Sequence, residues 1–256
     1  HFTWHGGNSG WYIASWYFIA LQTLIDPAFH QRTYAAKSPN VAFKGILVSI
    51  LCWMVFDFLT TSCGLYARAI LPDLSNAAES YPALAQKILP TGLLGLFGVT
   101  MLSIIMGAVD SYSFLAASTF GHDIIPRLKR VSESQIVKFT RLGLFVSAGL
   151  SIIWALFFRS AVDIWYAFGS IGTPALLVPV VTSFVGKRRM SEAQAFNCTV
   201  SSGLISLIWY LSKYFSETGE YWFNIQPIFP GLLLSITIYI SLAKPIVNAD
   251  LPQSKL

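Results

Sequence analysis

Residues 92–120 read GLLGLFGVTMLSIIMGAVDSYSFLAASTF, a run holding one carboxylate, Asp110, and neither lysine nor arginine. A helix needs about 20 mostly apolar residues to cross a bilayer, and this run exceeds that. At the helical rise it would reach about 43 Å, so the sequence predicts a tilted, kinked or protruding span. Outward from it lie six further apolar runs, at 10–29, 46–67, 137–158, 161–185, 193–214 and 228–243. The predicted fold class is therefore all-α, a polytopic membrane helix bundle of about seven transmembrane helices. The whole chain, 1–256, reads as a single transmembrane domain.

Composition and charge agree. Hydrophobic residues make up 54% of the chain and charged residues only 11%, too few to clothe a water-exposed surface of this size. The net charge of +5 raises nucleic acid as a partner, but the cations fall in short clusters between apolar runs, which fits membrane loops and not a nucleic-acid face. Clusters follow the first span (Arg32, Lys37, Lys44), the third (Arg127, Lys129, Arg130, Lys138, Arg141), the fifth (Lys187, Arg188, Arg189) and the seventh (Lys244). The intervening loops are poorer or mixed, with Arg68 and Lys87 beside Asp73 and Glu79, and Lys213 beside Glu217 and Glu220. Positive charge alternating with span count puts the N-terminus outside and the C-terminus in the cytoplasm. The chain opens on His1 with no signal-peptide pattern and reads as a fragment.

Three features depart from plain spans. Asp26-Pro27 suggests that the first span is interrupted or ends there. Residues 81–89, with Pro82 in the first turn, are too short to cross and read as an external amphipathic helix. The fifth span carries Gly169, Gly172, Pro174 and Pro179, the pattern either of a helix opened near the midplane or of a kinked packing helix.

Chemistry concentrates on one stripe of the third span: Ser103, Gly107, Asp110, Ser111, Phe114 and Ser118 recur at steps of three and four. An ionised Asp110 at mid-bilayer costs at least about 2.5–3.5 kcal/mol, so it should face protein or water. It reads as a cation or proton site, or as a carboxyl hydrogen-bonded to a neighbouring helix. Asp57 in the second span is a second intramembrane acid of uncertain role, because Thr60, Thr61 and Ser62 beside it could satisfy it structurally. Trp165 and Tyr166 could line a binding site or sit in an interfacial aromatic belt. Cys52, Cys63 and Cys198 lack metal-ligand spacing and read as buried small residues. No hydrolase triad, phosphate loop or zinc motif gives a case for an enzyme or for a metal other than sodium.

Several segments, in order along the chain, resemble the sodium:solute symporter family. Asp26-Pro-Ala-Phe-His-Gln31-Arg32-Thr-Tyr-Ala35-Ala36-Lys37 is similar to its Asp-x4-Gln-Arg-x-x-(Ala/Ser)-Ala-Lys segment. Gly64-Leu-Tyr-Ala-Arg68-Ala-Ile-Leu-Pro72 resembles the end of its next helix, and Tyr81-Pro82 through Gly95 resembles the external helix after it. Asp110-Ser111 through Asp123-Ile124 resembles its Ala-Asp-Ser…Asp-Ile/Leu helix, and Ile171-Gly172-Thr-Pro174 its Leu-Gly-x-Pro kink.

The resemblance implies the second half of a leucine-transporter-like inverted-repeat fold, with an N-terminal half of the same polypeptide missing. It implies cation binding at Asp110 and Ser111, with Gly107 and Ala108 in place of the family's sodium-binding hydroxyl pair, so that only backbone carbonyls are offered there. It implies solute binding by Gln22, Thr23, Asp26, Trp165 and Gly169. Sugar carriers have aromatics where Thr23 and Gln22 stand and a glutamine where Trp165 stands, so sugar is not the favoured solute. An aromatic at 165 could stack on an apolar or cationic solute.

The expected function is cation-coupled symport of a small organic solute by alternating access, with sodium the one bound ion raised and no organic cofactor. Proton-coupled or uncoupled carriage is one alternative, and a solute sensor without transport is another. The expected location is the lipid bilayer of a bacterial inner (plasma) membrane.

Overall fold

The computed structural model describes residues 3, 5–158, 160–185 and 187–245. The chain divides into two compact units, one formed by His1–His30 with Ser151–Leu256 and the other by Gln31–Leu150.

In the first unit, Ser9 caps α1 (Gly10–Ala20) by accepting from the Tyr12 amide. The helix tightens into a 3-10 turn, Leu21–Leu24, and stops. A new helix, α2 (Pro27–Tyr34), starts with Asp26 Oδ1 accepting from the Ala28 amide at 2.8 Å and with Pro27 in its first turn, where a missing N–H does no harm. The interruption read at Asp26-Pro27 is thus a short non-helical joint inside the first expected span.

After the second unit, the chain returns through α8 (Ala161–Val185), α9 (Glu192–Phe215) and α10 (Ile228–Leu242), which pack on one another. A capping box of Ser191 and Gln194 starts α9. Small residues set the closeness of this bundle. Cys198, Ser202 and Ser206 are buried at four-residue steps on α9, and a Cβ at Gly231 of α10 would stand 1.9 Å from Ser206 Oγ and 2.8 Å from Pro174 Cβ. Without a hydrophobic drive between helices in lipid, such backbone approach is what holds them. Two-residue strands β1 (Arg188–Arg189) and β2 (Lys244–Pro245) pair at one end of the bundle.

The second unit holds α3 (Pro39–Ile70), α4 (Ser80–Ile88), α5 (Thr91–Ser118), α6 (Ile125–Leu128) and most of α7 (Glu133–Phe157). The short α4, expected as an external amphipathic helix, packs on α3 and α5. A π-helical turn, Thr119–Ile124, continues α5, and α5 itself is regular helix over nearly the whole of the longest expected span. Along α3 and α5 large apolar side chains such as Phe58, Leu96 and Met106 are exposed, a surface that suits lipid or neighbouring helices and not water.

Seven spans were expected, and among the described residues five helices are single, long and apolar enough to cross a membrane: α3, α5 with its extension, α7, α8 and α9. The remaining two expected spans are the broken α1–α2 segment and the 15-residue α10. Of the two readings of the breaker-rich fifth span, the packing helix is the one that fits: α8 runs unbroken through Gly169, Gly172, Pro174 and Pro179. Neighbouring helices let membrane helices tolerate proline, and Pro174 is buried against Gly231.

Candidate functional site

The joint between α1 and α2 leaves backbone groups outside regular helix in the middle of an apolar segment. One is claimed locally, where His30 reaches back so that its Nε2 lies 2.9 Å from the Leu24 carbonyl, and its ring stacks on Phe184 of α8. Asp26 caps α2, and Thr23 Oγ1 donates to the Ala20 carbonyl. The part of His30 in closing the joint depends on a six-residue return that no spacing rule marks.

Gln22 differs from its neighbours. Its Oε1 is buried and has no hydrogen-bond partner among the described residues. It lies against Gly169 of α8, where a Cβ would stand 3.4 Å from Gln22 Oε1 and 2.7 Å from Ile19 Cγ2. A buried acceptor left unmade costs about 1–3 kcal/mol. One turn along α8 from Gly169, the buried Thr173 hydroxyl is likewise unpartnered among the described residues. On the joint and on α8, buried polar atoms thus have bonding capacity to spare.

Aromatic rings wall this region. Trp16 of α1 meets Trp165 edge-on at 6.0 Å and Tyr166 at 5.5 Å, and Tyr12 stacks on Tyr166 at 5.8 Å. Trp165 is exposed, whereas Tyr166 is buried and donates its hydroxyl to Gln226 Oε1. Gln226 and Trp16 were not singled out from the sequence. Trp16 carries the same weak signal as any aromatic in an apolar run, and Gln226 lies 60 residues from its partner. An open groove of about 580 Å³ runs along the first part of α1, lined by Asn8, Tyr12, Trp16 and Tyr17; Gln22 and Gly169 lie outside it.

Of the expected solute-site residues, the fold therefore joins Gln22 to Gly169 and sets Trp165 against Trp16, while Thr23 and Asp26 bond within their own segment. The expected cation-site residues Gly107, Ala108, Asp110 and Ser111 lie together on an exposed stretch of α5 in the second unit, and a Cβ at Gly107 would meet nothing within 4 Å. Asp57 is exposed on α3. Of the hydroxyls that could satisfy it, Thr60 donates to the Phe56 and Asp57 carbonyls and Ser62 to the Phe58 carbonyl, as hydroxyls in helices readily do. Of the cysteines expected to be buried, Cys198 is, with Sγ 3.2 Å from Ser235 Oγ, whereas Cys52 is exposed and Cys63 intermediate.

A family model described as the sodium:solute symporter family matches residues 11–201. The chain belongs to that family. Among curated relatives, the sodium/mannose cotransporter of Bos taurus is 28% identical over 75% of this chain and 35% of its own length. The sodium/pantothenate symporter of Haemophilus influenzae is 24% identical over 88% of this chain and 46% of its own. The human sodium/myo-inositol cotransporter 2 is 28% identical over 59% of this chain and 24% of its own. The chain spans less than half the length of each of these relatives. No solved structure gives a significant match. Membership in that family, with five helices among the described residues long and apolar enough to cross a membrane, makes this an integral membrane protein.

Proposed function

We propose that this chain is part of a carrier that moves a small organic solute together with a cation, sodium first, by alternating access. The observation that carries this reading is the helix joint at 21–26 with the buried Gln22 Oε1, unpartnered among the described residues, against Gly169. Irregular backbone in a membrane helix is tolerated where it faces protein or a cavity, and it supplies the polar groups a solute needs. Gln22, Thr23 and Asp26 on the joint, with Trp165 and Gly169 on α8, contribute to the solute site. Asp110 and Ser111, with the backbone carbonyls of Gly107 and Ala108, contribute to the cation site. Cation binding orders the solute site and raises solute affinity, and the solute does the same for the cation. The curated relatives, named as sodium cotransporters and a sodium symporter, support the choice of ion. A preceding repeat of the same polypeptide completes both sites, and the charge pattern orients the C-terminus to the cytoplasmic face of a bacterial plasma membrane.

Proton coupling is the second reading, favoured by Gly107 and Ala108, which offer no side-chain oxygen for sodium.

One experiment separates them. Thermal unfolding of the full-length protein is followed by tryptophan fluorescence in sodium or potassium chloride at equal ionic strength. A ligand that binds only the folded state at about a hundredfold excess over its Kd stabilises by about 2.7 kcal/mol. A sodium-specific rise that disappears in Asp110→Asn is the expected result. Equal curves in both salts, with uptake following a pH gradient, would replace sodium by the proton.

A further inference from the structure

We propose that the β1–β2 clasp at one end of the α8–α9–α10 bundle binds the phosphate of an anionic phospholipid. Antiparallel pairing sets Arg188 opposite Pro245 and Arg189 opposite Lys244. Like charges directly opposite each other on a ladder repel, and a ladder of two residues has little to hold it against them. Arg189, Lys244 and the adjoining Lys187 are exposed, and their side chains have no hydrogen bond or ion pair to any described residue. Glu192, three residues after Arg189, opens α9 and makes no ion pair with any described residue.

Arg188 has a different task. Its Nη1 donates to the Ile240 carbonyl at 2.9 Å, and Tyr239 donates its hydroxyl to the Arg188 carbonyl at 3.2 Å. These bonds tie the clasp to the last turn of α10 and fix where the other three cations stand. The clasp joins the end of α8 to the end of α10, and both helices are apolar up to their last residues. It therefore lies at the depth of lipid headgroups.

A phosphodiester supplies the counter-charge that these cations lack among the described residues. The Arg189 guanidinium can hold two of its oxygens, and the Lys244 ammonium adds a point charge. The occupant is a lipid and not free phosphate because Phe184, Val185, Ile240 and Leu242, directly beside the clasp, are exposed and apolar and match acyl chains. The charge alternation along the chain also assigns this end to the cytoplasmic leaflet, where anionic lipids concentrate. This inference rests on the helices crossing a membrane and not on which ion or solute is carried.

The test uses the full-length protein in nanodiscs of phosphatidylcholine, alone or with phosphatidylglycerol, at constant salt. Retained lipid is counted by native mass spectrometry and stability by thermal unfolding. Phosphatidylglycerol should be enriched roughly tenfold or more over phosphatidylcholine, given three cations at the interface. Lys244→Glu turns the cross-strand pair complementary. It should therefore raise stability in phosphatidylcholine and erase both the enrichment and the lipid-dependent gain. Arg189→Gln with Lys187→Gln should lose the enrichment without disturbing the Arg188–Ile240 bond. Equal retention of the two lipids by the unaltered protein, an undiminished preference in Lys244→Glu, or a full stabilisation by inorganic phosphate in phosphatidylcholine would each overturn the proposal.

Discussion

Gly169 of α8 and Ile19 of α1 meet so closely that a Cβ on Gly169 would stand 2.7 Å from Ile19 Cγ2. Ile19 is almost fully buried, so it cannot swing clear. Gly169→Ala should destabilise the protein by about 1–3 kcal/mol, as overpacking does. Ile19→Ala in the same chain should recover part of that loss. A double-mutant cycle by thermal unfolding in detergent measures the coupling, and purely additive effects would contradict the contact.

Gly231 of α10 is tighter still, with Ser206 Oγ only 1.9 Å from where its Cβ would be. Gly231→Ala should separate α10 from α8 and α9 and lower the unfolding temperature more than Gly169→Ala does. Ser206→Gly should relieve the worse of the two clashes. Pro174 Cβ, 2.8 Å from the same point, remains, so the rescue should be partial.

Asp26 allows a cap to be told apart from a charge-dependent ligand. As the cap of α2, its carboxylate accepts from the Ala28 amide. Asp26→Ala should cost about 0.5–2 kcal/mol of stability, and Asp26→Asn much less, because an amide oxygen caps nearly as well. If Asn leaves stability intact and abolishes solute uptake, the charge serves binding as well as the cap; intact uptake would remove Asp26 from the solute site.

Tyr221, in the loop after α9, packs against Tyr210 at 6.1 Å, and the Lys213 ammonium lies over both rings. Burial, and after it the neighbouring Tyr166 and Tyr210, raises the Tyr221 pKa above its ordinary value. The folded state thus holds this proton more tightly than the unfolded state does. The stabilisation is complete below the unfolded pKa, near 10, and is lost as pH rises towards the folded one. Tyr221→Phe keeps the ring and removes the proton, so it should flatten the alkaline decline in unfolding temperature. An unchanged decline would assign it to other groups.

The expected span at 161–185 and α8 share both ends, and the expected 193–214 and 228–243 differ from α9 and α10 by a residue at most at either end. Apolar runs, proline and serine caps act locally, and a local signal can be read along the chain. The joint at Asp26-Pro27 was visible for the same reason, since proline lacks an amide hydrogen and aspartate can cap the helix that begins after it.

Other features depended on residues far apart in the chain. Whether Pro174 and Pro179 open a helix turns on what packs beside them, and here Gly231 and Ser206 close the bundle around an unbroken α8. The sequence marked Gln22 only through resemblance and Gly169 otherwise only as a helix breaker; their contact exists because α8 returns to α1 after more than a hundred residues. The Arg189–Lys244 pair was just two charged loops until the clasp set them in register. Hydropathy and capping determined which segments are helices and that they belong in a membrane. Which polar atoms are buried without partners, and which like charges face each other, only the tertiary structure decided, because both depend on how closely distant backbones approach.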